Sequence, residues 1–188
     1  YCLAGEKIAG MEVPKRGDYL RVITCELERL HSHFLWLGLA AHIIGFDSLF
    51  MMCFEKREKI MDMLETLSGN RVNYAMNIIG GARRDINDEI EKDLREKLNI
   101  LKEDFKAIFD IYANDKTVAL RTKGVGVLTN EDAFIYGACG PHGRASGMKD
   151  DVRKVDPYCS YDDFDFKAIV QAEGDVFSRA VVRLLEIE

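Results

Sequence analysis

Leu20, Ile23, Leu27, Leu30, Phe34, Leu37 and Ala41 recur at alternating spacings of three and four residues, and no other pattern restricts the fold of this chain as much. That alternation follows the turn of an α-helix and predicts one helix of roughly 28 residues, about 40 Å long, with Pro14 in its first turn. A rod of that length buries its stripe only against other helices. The expected fold class is therefore mainly α (α+β): a long-helix bundle with small β elements, in a single domain spanning residues 1–188.

Three histidines ride on this helix, His31, His33 and His42, and only His33 lies close to the stripe. A histidine there is ordinarily a hydrogen-bonded core residue, and no second ligand sits at metal spacing beside it, so no metal site is expected. Gly38 and Gly45 would let a second backbone approach closely.

The stretch from Asp47 to Asp85 carries the densest local information. Asp47 or Ser48 is placed to cap a helix that Gly69 would end. Leu49 to Phe54 is apolar on every side and points to burial among helices. Glu55 and Lys59 are spaced to pair along one face, within a charged run that is either a solvated turn or a docking surface. Arg71 to Asn77 has no period. Gly80 to Asp85 then forms a glycine turn with paired arginines, read as a structural turn tied by an Arg–Asp pair, because it lacks any phosphate-binding fingerprint.

Asn87 should cap the next helix, whose stripe is Ile90, Leu94, Leu98, Leu101, Phe105, Ile108 and Tyr112. Thr117 to Leu128 reads as extended. Thr129 with Asp132 resembles a capping box for a short helix closed by Gly137. The run from Cys139 to Phe166, rich in Gly, Asp, Arg and Tyr, reads as one long ordered loop. Phe166 to Gln171 could form a strand, and Asp175 caps a last helix bearing Phe177, Val181, Leu184 and Leu185.

The net charge of −6 comes without a basic stripe, which argues against a nucleic-acid partner. No apolar run reaches the ~20 residues of a membrane span. Five cysteines lie far apart, with no CxxC, so neither a zinc site nor a disulfide framework is indicated. The chain opens at Tyr1 and stops at Glu188 within a helical pattern, from which we expect a segment of a longer polypeptide.

Five blocks in order, RVITCELERLHSHFLWLG, FEKREKIMDMLETLSGNR, IIGGARRDI, Gly140 to Tyr161 and GDVFSRAVVRLLEIE, together resemble the large subunit of membrane-bound energy-converting nickel-iron hydrogenases. The same pattern is similar to the D-type, quinone-site subunit of NADH-quinone oxidoreductase (complex I), a complex that binds NAD and quinone. The resemblance implies a subunit on the cytoplasmic side of a membrane complex, beside an iron-sulfur small subunit and membrane subunits. It also implies a nickel-iron centre held by cysteine pairs near both ends of the parent. Neither pair is in this chain, so no cofactor is expected within it.

By motif position, Arg71, Arg83 and Arg84 should lie near the partner's iron-sulfur cluster. His33, Arg144, Ser146, Asp151 and Arg153 should support the active-site cavity, with a buried salt-bridge network as the plainer reading. His142 has no counterpart in this reading. Ile43 stands where complex I relatives carry an acidic residue, which favours the hydrogenase branch. The alternatives are the quinone-site subunit and a helical assembly module without redox chemistry of its own.

Overall fold

In the computed structural model, which describes residues 1–188, the long stripe folds as one helix. The elements in order are α1 (Cys2–Ala9), α2 (Lys15–Ile43), α3 (Asp47–Ser68), β1 (Asn77–Ile78), β2 (Gly81–Ala82) and α4 (Asp88–Asn114). They are followed by α5 (Lys116–Thr122), α6 (Asn130–Ile135), α7 (Gly140–Ala145), α8 (Val152–Val155), a 3-10 turn (Tyr161–Asp163) and α9 (Val176–Ile187). The fold is mainly α, and its one sheet is a two-stranded antiparallel hairpin.

The core forms where α2, α3 and α4 meet. Phe34, Leu37 and Ala41 from α2, Leu49, Ile60, Met63 and Leu64 from α3, and Leu101, Phe105 and Ile108 from α4 join one buried cluster, with Ala180 and Leu184 of α9 at its side. Tyr112 carries the one hydroxyl in this interior, and it donates to the Leu37 carbonyl, so α4 is tied to α2 as well as packed on it. Gly38 sets the spacing of α2 and α3. A Cβ built there would lie 2.8 Å from the Phe54 ring and 3.2 Å from the Cys53 Cβ.

A second tie sits at the other end of α2. Arg21, almost wholly buried, pairs with Glu6 of α1 and donates to the carbonyls of Ile78 (2.7 Å) and Gly81 (3.0 Å). Glu6 in turn accepts from the Gly80 amide at 2.7 Å. The hairpin between β1 and β2 is too short to stand alone, and this pair fixes it to the helices. Gly80 at φ 92° and Gly81 at φ 145° make the turn that brings those groups within reach.

Helix ends follow the sequence in most places. Asn87, Thr129 and Asp175 each accept a backbone N–H of the helix they open, and Gly10 and Gly69 take the left-handed conformation just past α1 and α3. Pro14 is the residue before α2 and has an extended backbone, one position earlier than expected. Asp47 does not cap α3. Its carboxylate is 2.8 Å from His42 Nδ1, and Phe46 supplies the first carbonyl of the helix instead.

Other expectations are corrected. Thr117 to Leu128 is not extended: Asp115 accepts from the amides of Thr117 and Val118 and starts α5, whose Val118 is buried in the core. This local cap outweighs the β preference of the Val-rich run. The run from Cys139 to Phe166 is not one loop but holds α7, α8 and the 3-10 turn. Phe166 to Gln171 pairs with no strand, because the Gln171 amide is taken by the Arg144 carbonyl. Glu55 and Lys59 do not pair: Lys59 reaches Asp104 on α4. Asp85 is held by Arg16 at 2.8 Å and not by the neighbouring arginines. Met51 is exposed within the segment expected to be buried all round.

Gly38→Ala pits two effects against each other. Alanine gains up to about 1 kcal/mol of helix propensity, whereas a Cβ inside the Phe54 ring's contact distance costs about 1–3 kcal/mol of overpacking. We expect a net loss, seen as a lower urea midpoint. A midpoint equal to or above the parent's would show that α2 and α3 are not packed this closely.

Candidate functional site

One face of α2 carries Glu26, Arg29 and His33, spaced three and four apart, and one face of α9 carries Arg179, Arg183 and Glu186 in the same rhythm. Where these faces meet, α7 adds Arg144, the start of α8 adds Asp151 and Arg153, and the 3-10 turn adds Tyr161. Glu186 is the centre. Its two oxygens receive His33 Nε2 (2.7 Å) and the Arg144 guanidinium, and Arg153 stands 3.8 Å away. Arg153 grips Asp151 through Nε (3.0 Å) and Nη2 (2.7 Å) and reaches Glu26 at 3.2 Å, while the Tyr161 hydroxyl donates to Glu26.

Burial and charge work against each other here. Burial alone would raise the Glu186 carboxyl, but the hydrogen bond from His33 and the Arg144 charge outweigh it and hold it below the usual carboxylate range. Asp151 behaves alike, with Arg153 overcoming burial. Burial keeps His33 harder to protonate than a free histidine in spite of Glu186, so at neutral pH its Nε2–H donates to the carboxylate. Arg144 Nε and the Ser160 hydroxyl are buried with no partner. The cluster can hold charge and a proton at defined atoms inside a desolvated layer.

Of the residues singled out in the sequence, His33, Arg144, Asp151 and Arg153 are brought together. Ser146 is buried next to them in sequence but turns away: its hydroxyl donates to the His142 carbonyl at 3.3 Å and its own carbonyl accepts from Asn130. His142 is exposed, within electrostatic reach of Arg183 and Arg179, which disfavour its protonation. His33 is not alone on the buried side of α2. His31 is buried too, with its Nε2 against the Arg57 guanidinium.

Arg71, Arg83 and Arg84 form a separate group past the end of α3. Arg71 bridges Glu58, Asp62 and Glu65 of that helix, and Arg83 donates to the carbonyls of Ser68 (2.6 Å) and Tyr74 (3.0 Å). Arg84 lies over Gly69 and forms no ion pair.

Sequence reading missed Glu186, Glu26 and Tyr161. The available signal was the charged face of α9, where Arg179, Arg183 and Glu186 interrupt an otherwise apolar helix. Only a partner 153 residues away explains that carboxylate.

A nickel-iron centre needs converging thiolates, and the chain's residues do not fit one. Cys53 is in the core with its thiol pushed up to about 12 by burial, Cys139 is exposed, and Cys2 points at the Asn77 carbonyl. No three His, Cys, Asp or Glu side chains gather in a metal-holding group. No helix is long and apolar enough to cross a membrane.

His31 and His33 are each harder to protonate folded than unfolded, chiefly because they are buried. The unfolded chain therefore binds more protons, and stability falls as pH drops below the unfolded histidine value of about 6.5. Below about 4.5 the depressed carboxyls of Glu186 and Asp151 add to the loss. Urea midpoints measured from pH 8 to 5 should fall over the lower part of that range, and His31→Gln should flatten part of the slope. A midpoint that holds or rises towards pH 5 would contradict this.

The sequence model of the family described as "Respiratory-chain NADH dehydrogenase, 49 Kd subunit" matches residues 44–188. The chain is 42% identical to the carbon monoxide-induced hydrogenase of Rhodospirillum rubrum, over 99% of its own length and 52% of that protein's. It is 40% identical to the membrane-bound hydrogenase subunit alpha of Pyrococcus furiosus, over 100% of its own length and 45% of the relative's. It is also 40% identical to the D-type subunit of NADH-quinone oxidoreductase from Desulfotalea psychrophila, covering 100% of this chain and 50% of that one. The chain thus spans about half the length of the curated relatives it matches. With everything from the end of α2 onward matched, the chain belongs to the family of the 49 kDa subunit of respiratory-chain NADH dehydrogenase.

Proposed function

We propose that this chain is the helical scaffold of the large subunit of a membrane-bound, energy-converting nickel-iron hydrogenase. In that reading the parent exchanges electrons between H2 or protons and a ferredoxin-type carrier, coupled to ion translocation, on the cytoplasmic face of the membrane. The metal-binding thiolates would come from parent sequence beyond these residues, since the chain's own cysteines do not converge. In this reading the network around Glu186 supports the active-site cavity, with Arg144, Asp151 and Arg153 as positioning residues. The iron-sulfur small subunit and the membrane subunits are the partners in this reading.

The observation that carries the hydrogenase branch is Ile43. It lies at the end of α2, mostly exposed, in a shallow, largely apolar depression with Trp36, Leu39, Ile44, Val125 and Val176 and one charged residue, Arg121. No carboxylate lines that depression, so nothing there carries a proton towards a bound quinone. The second reading, a quinone-site subunit of complex I type, keeps its footing in the relative from Desulfotalea psychrophila, whose identity equals that of the hydrogenase subunit from Pyrococcus furiosus. Metal analysis of the intact parent complex separates the two. Stoichiometric nickel with H2-dependent reduction of a low-potential carrier is the expected result, and quinone reduction without nickel would overturn it. The 188-residue protein alone should retain neither nickel nor quinone.

Arg84, which forms no ion pair, is the arginine of its group best placed to face the small subunit. Arg84→Glu should lower co-purification of that subunit while shifting the chain's own stability by no more than about 0.5 kcal/mol. Undiminished co-purification would remove Arg84 from the interface.

A further inference from the structure

Between α2, α7 and the loop carrying Tyr158 lies an open pocket of about 390 Å3, near the lower end of the range for small-ligand sites. Arg183 projects into it from α9, Arg29 and Ser32 line it from α2, and Trp36 and Pro141 give it apolar walls. Arg183 differs from the arginines around Glu186. It is 6% exposed, yet it forms no ion pair: Nη1 donates to the Arg179 carbonyl at 2.9 Å, and the guanidinium lies 4.0 Å from the centre of the Trp36 ring. Burial makes this the least comfortable cation in the chain, pushed down to about 10 in spite of Glu186 nearby. Arg144 and Arg153, by contrast, each hold a carboxylate.

A desolvated guanidinium with no carboxylate in direct contact is costly, and an anion entering the pocket would offset that cost. The planar fork, held over an indole, fits a carboxylate through two parallel N–H bonds. The charge in the lining selects among anions. Arg29 is already engaged by Glu26 at 3.1 Å, and the pocket wall includes one carboxylate, Glu28, whose nearby cation is Arg57. One free guanidinium facing one acidic rim group favours a monoanion over a dianion. We propose that this pocket binds a small organic acid, its carboxylate on Arg183 and its carbon skeleton against Trp36 and Pro141. The proposal goes beyond the redox reading above and does not rest on it.

Trp36 is the one tryptophan of the chain and lies against Arg183; it also borders the depression around Ile43, so variants of Arg183 assign any fluorescence change to this pocket. Acetate and propionate, titrated at constant ionic strength, should change that fluorescence saturably, with chloride giving no response and inorganic phosphate a weaker one. Arg183→Lys keeps the charge but loses the fork, and Arg183→Gln removes both. Each should weaken propionate binding about tenfold or more. Propionate should also raise the melting temperature of the unaltered protein, which keeps the test sound if a variant fails to fold. No saturable change with either acid, an equal response to chloride, tighter binding of phosphate, or variants that bind like the parent would each overturn the proposal.

Discussion

A carboxylate buried on the last helix holds this structure together. Glu186 is removed from water, and a lone charge there would cost several kcal/mol, so it persists only because His33 and Arg144 satisfy both of its oxygens. Those two partners come from α2 and α7, and Arg153 extends the same layer to Asp151 and Glu26. Four segments far apart in sequence are thereby fixed to one atom pair. Exposed pairs such as Arg95–Glu91 or Lys106–Glu103 are worth a few tenths of a kcal/mol each and place nothing. The buried layer decides how α9 sits on α2.

Two levels of α2, its middle and its N-terminal part, use related solutions. At the Glu186 layer a long-range ion network fixes helices, and at the Arg21–Glu6 pair it fixes a two-residue hairpin that has no stability of its own. Beside and beyond the Glu186 layer the apolar cluster of α2, α3 and α4 supplies most of the driving force, with Gly38 allowing the close approach.

What was legible in the sequence was local. The stripes of α2, α4 and α9 repeat with the helical period, and caps such as Asn87, Thr129 and Asp175 act within three residues. The short helices Lys116–Thr122, Gly140–Ala145 and Val152–Val155 were not legible, because a single carboxylate, Asp115, outweighs a β-rich composition and because helices of four to seven residues show no period. Half of the candidate site was legible through the resemblance: His33, Arg144, Asp151 and Arg153 do meet. Glu186 and Glu26 were not, since a carboxylate on a helix face carries no mark of the partner 153 or 127 positions away. Arg71, Arg83 and Arg84 belong to another part of the surface.

A double-mutant cycle between Arg144 and Glu186 tests the account most directly. Arg144→Met, Glu186→Leu and the double variant should be compared by urea denaturation at pH 7. Each single change leaves a buried charge without its partner, so each should cost about 3–5 kcal/mol, and the double change should cost well under their sum, with a coupling of about 1.5–3 kcal/mol. Additive losses, with no coupling beyond error, would show that Glu186 is not the charge on which these helices are assembled.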